Sequence, residues 1–272
     1  MGYRVWFVLV KRIELLNFWF CLADEHPSAV VIGTDLSPIQ PTLLVTFKSF
    51  YLTPPPPFYQ LTHNSLPPNA SFIVDDANEP WVFKQKFDFI HSRQLHCAVE
   101  EKNLMRQALT WVCPLYPRDS EFWIMLTGTP KRNLNPGGWL EMQEIALPFS
   151  NDDNTVTPDH AVYKWGNLLH EASKLIGQDF GNPLKYTQWM EEAGFVNVQH
   201  VLYKWPSNTW PKDKKHKTLG MWSLANVLDG LDAFTMAMFT RVLKWQPEEV
   251  QTLLVGVRKD IKDRQIHNYY NV

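Results

Sequence analysis

The chain has 272 residues, 45% of them hydrophobic and 20% charged, with a formal net charge of -2. That composition suits a globular protein with a sizeable core, and it offers no basic face of the kind direct nucleic-acid binding needs. Its three cysteines, Cys21, Cys97 and Cys113, show neither CxxC nor Cys/His spacing, which argues for a reduced intracellular setting and against a disulfide scaffold or a metal site.

The first apolar run, VWFVLV at 5–10, reads as a strand. Lys11, Arg12 and Glu14 follow at once, so it is too short to span a membrane and lacks the cleavage pattern of a signal peptide. Residues 12–26 place Ile13, Leu16, Phe20 and Ala23 at helical spacing, and Pro27 ends the pattern. The stretch SAVVIGTDLSPIQP at 28–41 then reads as a buried strand that ends on Asp35, completing a β-α-β opening. Residues 42–66 contain four consecutive prolines among aromatic residues and threonines, and read as an irregular surface insertion. Asn69-Ala70-Ser71 is a glycosylation sequon by pattern.

SFIVDDA at 71–77 reads as a third strand ending on Asp75 and Asp76, and KFDFIH at 86–91 as a fourth ending on His91. Val99, Leu104, Ala108 and Val112 mark a helix over 99–112; residues 113–133 lose periodicity, and 111–132 reads as a second irregular insertion. Asn135-Pro136-Gly137-Gly138 reads as a turn before a strand at 139–145. Val162, Trp165, Leu168, Leu169, Ala172 and Leu175 form the apolar stripe of a helix over 159–176. A short helix over 184–193 should stop at Gly194, and FVNVQHVLY at 195–203 alternates like a strand. The remainder reads as helical, with Pro247, Glu248 and Glu249 opening the last helix. The basic stretch KDKKHK at 212–217 reads as a solvated loop, and the tryptophans, Trp81, Trp139, Trp165 and Trp189 among them, as packing residues.

Strands alternating with helices predict an α/β fold on a mostly parallel sheet. Such sheets bind ligands outside the carboxyl ends of their strands, where Asp35, Asp75, Asp76 and His91 would converge. A carboxylate at the end of the second strand has enough acceptor sites to take two ribose hydroxyls. Asp35 alone would also suit a nicotinamide cofactor, though the missing GxGxxG counts against that reading.

The blocks ADEHPSAVVIGTDLSPIQP, PPNASFIVDDANEPWVF, KFDFIHSRQL and LNPGGWLEMQEI resemble the class I S-adenosylmethionine-dependent methyltransferases, and within them the fungal LaeA-like group. WGNLLHEASKLIG, KYTQWMEEAGFVNV, NTWPKD, LGMW and EEVQTLLVGVRKDI are similar to the same group. The resemblance implies a single Rossmann-like domain over 1–272, with helices on both faces of the sheet and a helical lid over 205–262. It implies S-adenosyl-L-methionine as cofactor. Asp35 would hold its ribose, Asp76 and Ala77 would contact its adenine, His91 and Ser92 would line its methionine part, and Leu36 and Asp75 would be further cofactor-binding residues. It implies methyl transfer to an unidentified protein or small-metabolite acceptor, a link to fungal secondary metabolism, a velvet-type regulatory protein as partner and a place in cytoplasm or nucleus. No catalytic base is implied, because the nucleophile belongs to the acceptor.

The chain departs from the group after its first strand. The family's glycine-rich loop is missing, with Arg12, Glu14 and Leu16 where its glycines belong. The end at IHNYYNV also stops where the family continues into a last strand. These departures support a different reading, a non-catalytic methyltransferase-like protein-interaction module, degenerate or read from a misassembled gene.

Overall fold

The computed structural model describes residues 4–10, 22–35, 67–95, 98–109 and 133–272. The expected insertions 42–66 and 111–132, Leu36 and the first part of the expected helix 12–26 lie outside them; residues 22–25 of that helix form one helical turn. The chain divides into two compact units, Met1–Gln143 and Glu144–Val272.

The first unit is built on β1 (Arg4–Val10), β2 (Ala29–Asp35), β3 (Ala70–Val74), β4 (Phe87–Arg93) and β5 (Leu134–Gln143), with α1 (Glu101–Leu109) between β4 and β5. The five strands lie in the order β3-β2-β1-β4-β5, every pair parallel. This is the parallel Rossmann-like sheet that the alternation predicts. Continuous apolar runs make β1 and β2 central: Phe7, Val8, Val31 and Ile32 are all buried, as strands covered on both faces must be. Phe7 gathers Trp81, Phe83 and Phe87 at ring-centroid distances of 4.8–5.0 Å. Asn69 Nδ2, the atom a glycan would modify, instead reaches the carbonyls of Ala23, His26 and Ala29 within 3.1 Å, which pins the entry to β2.

The NPGG segment corrects one expectation. It is not a turn before the strand but part of β5 itself. Leu134 faces Phe87 and Trp139 faces Phe89, so the strand bulges between them, with Gly137 at φ 80°. A side chain at Gly138 would meet the carbonyls of Asn135 and Asp88 at 3.0 and 3.1 Å and crowd the bulge. Trp139, expected to pack, is 62% exposed.

The second unit contains β6 (Ala146–Ser150), α2 (Ala161–Leu175), a 3-10 turn (Asn182–Lys185), α3 (Tyr186–Ala193), β7 (Lys204–Pro206), α4 (Lys214–Arg241), α5 (Pro247–Lys262) and β8 (Tyr269–Asn271). Its antiparallel sheet runs β6-β8-β7. Leu169, Phe180, Phe239, Leu254, Val257 and Ile261 are each at most 1% exposed and form the core. Trp165 donates from Nε1 to the Thr235 hydroxyl at 2.9 Å, tying α2 to α4.

Two further expectations fail here. Residues 195–203 form no strand of their own; the backbone pairing begins at Tyr203, which exchanges hydrogen bonds with Val272 at 2.8 and 2.9 Å, and runs on into Lys204–Pro206. Val196, Val201, Leu202 and Tyr203 are exposed, so the alternation has no buried face to serve. The helical reading of the chain end also breaks, because Tyr269–Asn271 is the central strand of the small sheet. Gly194 does end α3, at φ 103°. Pro247 opens α5, where the Glu249 carboxylate accepts from the Gln246 N–H at 2.8 Å.

Candidate functional site

Strand order reverses between β1 and β4, since β2 and β3 lie on one side of β1 and β4 and β5 on the other. In parallel sheets that reversal opens a crevice beyond the carboxyl ends. The register places Thr34 of β2 and Ser92 of β4 on either side of Leu9 of β1. Both side chains are buried, at 3% and 0% exposure. Neither hydroxyl has a hydrogen-bond partner among the described residues. Buried hydroxyls left without partners are costly, so these two, flanking one strand end, are candidates for polar contacts beyond the described residues.

Asp35 is the last residue of β2, paired in register with Val74 of β3. Asp75 and Asp76 follow β3 directly. Asp76 Oδ1 accepts from the Asn78 N–H at 2.9 Å and from Asn78 Nδ2 at 3.0 Å, which folds the loop and leaves Oδ2 for other donors. Asn78 also donates to the Ala98 carbonyl at 2.8 Å and accepts from the Glu100 N–H at 2.8 Å, so the loop is fastened to the start of α1.

Sequence reasoning missed the residue that holds the other side of this loop. Gln107 of α1 accepts from the Trp81 N–H at 2.8 Å and donates to the Ala77 carbonyl at 3.1 Å. Trp81 Nε1 donates to the same carbonyl at 3.2 Å. With its carbonyl taken twice, Ala77 has only its N–H to offer a ligand. A lone glutamine on a helix carries no sequence signal for such a clamp.

His91 lies two residues before the end of β4, in register with Val8 and with Glu141 of β5. Its side chain is 1% exposed, and its Nδ1 stands 3.0 Å from Glu141 Oε2. The hydrogen bond from His91 holds the Glu141 carboxyl below its usual range; burial pushes the other way, and Gln143 adds a second donor. His91 therefore lies across the sheet, while Ser92 belongs to the opposite face beside Leu9.

Asp35 ends β2 and Asp75 and Asp76 follow β3 in the same sheet; carboxylates in general suit hydroxyl and amino donors, and an amide N–H suits a ring nitrogen. Among the described residues no three His, Cys, Asp or Glu side chains are grouped to hold a metal ion, and no helix is long and apolar enough to cross a membrane.

The family profile described as "Methyltransferase domain" matches residues 18–200. The chain belongs to the methyltransferase-domain family. It is 37% identical over 252 residues to "Probable methyltransferase tdiE" of Emericella nidulans, covering 92% of this chain and 65% of that protein. It is 31% identical over 251 residues to "Methyltransferase pytC" of Aspergillus terreus, covering 92% and 64%. It is 29% identical over 255 residues to "Secondary metabolism regulator LAE1" of Cochliobolus heterostrophus, covering 92% and 69%. The chain thus spans about two thirds of the length of these relatives. The profile match starts beyond β1 and beyond positions 12, 14 and 16, where family glycines would fall.

Proposed function

We propose that this methyltransferase-family chain transfers a methyl group from S-adenosyl-L-methionine to a protein or small-metabolite acceptor, inside the cell, in the service of secondary metabolism. The observation that carries the reading is the pair of buried hydroxyls of Thr34 and Ser92 at the reversal of strand order, which have no hydrogen-bond partner among the described residues. They sit in one sheet whose neighbouring strand ends bring Asp35, Asp75 and Asp76. The printed names of the relatives, two methyltransferases and a secondary-metabolism regulator, support the same reading.

When bound, the cofactor supplies a methyl group on a cationic sulfonium. The chain's own residues bind and orient it. Asp35 would take the ribose, its carboxylate accepting from the hydroxyls, with Leu36 a further cofactor-binding residue. Asp76 Oδ2 would accept from the adenine amino group, the Ala77 N–H would face a ring nitrogen, and Asp75 would border the same loop. Ser92 would line the methionine end, and His91 would keep β5 in place through Glu141. Methyl transfer from a sulfonium depends mainly on in-line positioning, so no general base is assigned to this chain. A velvet-type regulatory protein is the partner proposed on the likeness to the LaeA-like group.

A specific observation favours a second reading, a methyltransferase-like interaction module that binds no cofactor. No glycine occurs between Gly2 and Gly33, and glycine is what lets a backbone approach a cofactor without a Cβ in the way. Thermal unfolding with and without S-adenosylhomocysteine separates the two. A ligand that binds only the folded state raises the melting temperature. A rise that grows with ligand concentration supports the enzyme; an unmoved melting temperature at millimolar ligand supports the module.

A further inference from the structure

The carboxyl edge of the first unit's sheet carries a cation as well as its carboxylates. Arg93 is the last residue of β4, in register with Val10 of β1 and Gln143 of β5. The chain leaves the strand through Gln94 at φ 52°, a left-handed conformation uncommon outside glycine. The Gln94 N–H donates to the Gln143 carbonyl at 2.9 Å, and Leu95 is buried immediately after it. The exit from β4 is thus fastened to β5 and to the core, which gives Arg93 a fixed backbone position.

Arg93 is half-buried, and its guanidinium has no hydrogen-bond or ion-pair partner among the described residues. The carboxylate on the facing stretch of β5 is taken by others. Glu141 has His91 Nδ1 at 3.0 Å from Oε2, and Gln143 Nε2 donates to its Oε1 at 2.9 Å. By contrast Arg258, also half-buried, has its carboxylate in Asp232. A guanidinium keeps its charge at any working pH and offers donors in a planar fork that matches a carboxylate. Charged groups withdrawn from water call for a partner of opposite sign.

The charges along the edge are unevenly placed. β2 ends on Asp35, and Asp75 and Asp76 follow β3, on the far side of β1 from Arg93. An anionic part of a ligand is repelled over β2 and β3 and attracted over β4. S-Adenosyl-L-methionine has a matching asymmetry, with an uncharged nucleoside at one end and a carboxylate on the amino-acid end.

We propose that Arg93 is the carboxylate anchor of the cofactor crevice, its guanidinium pairing with the carboxylate of the methionine part of S-adenosyl-L-methionine. The proposal rests on the methyl-transfer reading and adds a direction to it. The nucleoside lies over β2 and β3, and the amino-acid end lies over β4. Arg93 binds and orients the cofactor; no proton or methyl group passes through it.

The test titrates the full chain calorimetrically with S-adenosylhomocysteine and with its decarboxylated counterpart, which keeps the amine and lacks only the carboxylate. The parent chain should favour S-adenosylhomocysteine by about tenfold, as a charge-assisted pair implies. Arg93→Gln should weaken S-adenosylhomocysteine to the level of the decarboxylated compound and leave the latter no weaker. Arg93→Lys, a charge without the fork, should restore part of the preference. Equal affinities in the parent chain, or a preference kept by Arg93→Gln, would overturn the anchor and leave the methyl-transfer reading standing. Equal loss of both ligands in Arg93→Gln would mark a structural residue and also overturn it. A parent chain that binds neither compound would overturn the anchor and the methyl-transfer reading together.

Discussion

Gly220 in α4 is where the helix meets the 206–208 turn most closely. A Cβ there would stand 1.9 Å from the Asn208 carbonyl oxygen, 2.6 Å from its carbon and 3.3 Å from Pro206 Cβ. Backbone cannot yield at such distances without moving the turn. Asn208 is fully buried, and its side chain holds the chain end together. Its Nδ2 donates to the Asp263 carbonyl at 3.1 Å and to that of Ile266 at 3.3 Å, and its Oδ1 accepts from the Trp210 N–H at 2.9 Å. Displacing three such bonds costs ~3 kcal/mol at the usual net value, and overpacking adds ~1 kcal/mol or more. Alanine's better helix propensity returns ~1 kcal/mol, so Gly220→Ala should destabilise by about 3 kcal/mol. Gly230 lies in the same helix with nothing within 4 Å of its own Cβ position. Gly230→Ala should therefore stabilise by about 0.5–1 kcal/mol. Urea unfolding followed by helical circular dichroism measures both. Equal midpoints for the two variants, or a Gly220→Ala protein as stable as the parent, would refute the reasoning.

Asp179 supplies a pH-dependent prediction. Burial pushes its carboxyl up, but the Gly181 N–H at 2.8 Å, His170 Nε2 at 2.7 Å and Lys185 Nζ at 3.2 Å outweigh it and hold the pKa at about 2. A lowered carboxylate pKa adds stability that is complete above the unfolded value near 3.8 and is lost as pH falls through about 2. With the side chain 24% exposed, the gain is discounted to ~1 kcal/mol. Asp179→Asn should cost that much at pH 6 and nothing well below pH 2; denaturant midpoints across that range check it, and a constant gap would contradict it. Gln107→Leu should orphan the buried Trp81 N–H and free the Ala77 carbonyl of one donor, for a loss of about 2 kcal/mol. Unchanged stability with unchanged exchange of the Trp81 amide would count against the clamp.

The parallel sheet was legible because its strands are short β-branched runs bounded by Pro, Asn and Asp, and Asp35, Asp75 and Asp76 stand at strand ends by count alone. Residues 195–203 misled because alternation describes a face without naming what covers it, and Val196 is 82% exposed. NPGG reads as a turn by composition, yet only the register between β4 and β5 shows that the glycines serve a bulge inside a strand. The three-residue strand at Tyr269–Asn271 is too short to leave a periodic trace. The His91–Glu141 pair and the placing of the Thr34 and Ser92 hydroxyls on either side of Leu9 arise from strand register between segments far apart in the chain. No local pattern encodes them.

The most direct test of the cofactor crevice is calorimetric titration of S-adenosylmethionine into the purified chain, alongside Asp35→Ala. The account predicts saturable binding by the parent chain and its loss in the variant. An absence of heat at millimolar cofactor, or identical binding by Asp35→Ala, would contradict it.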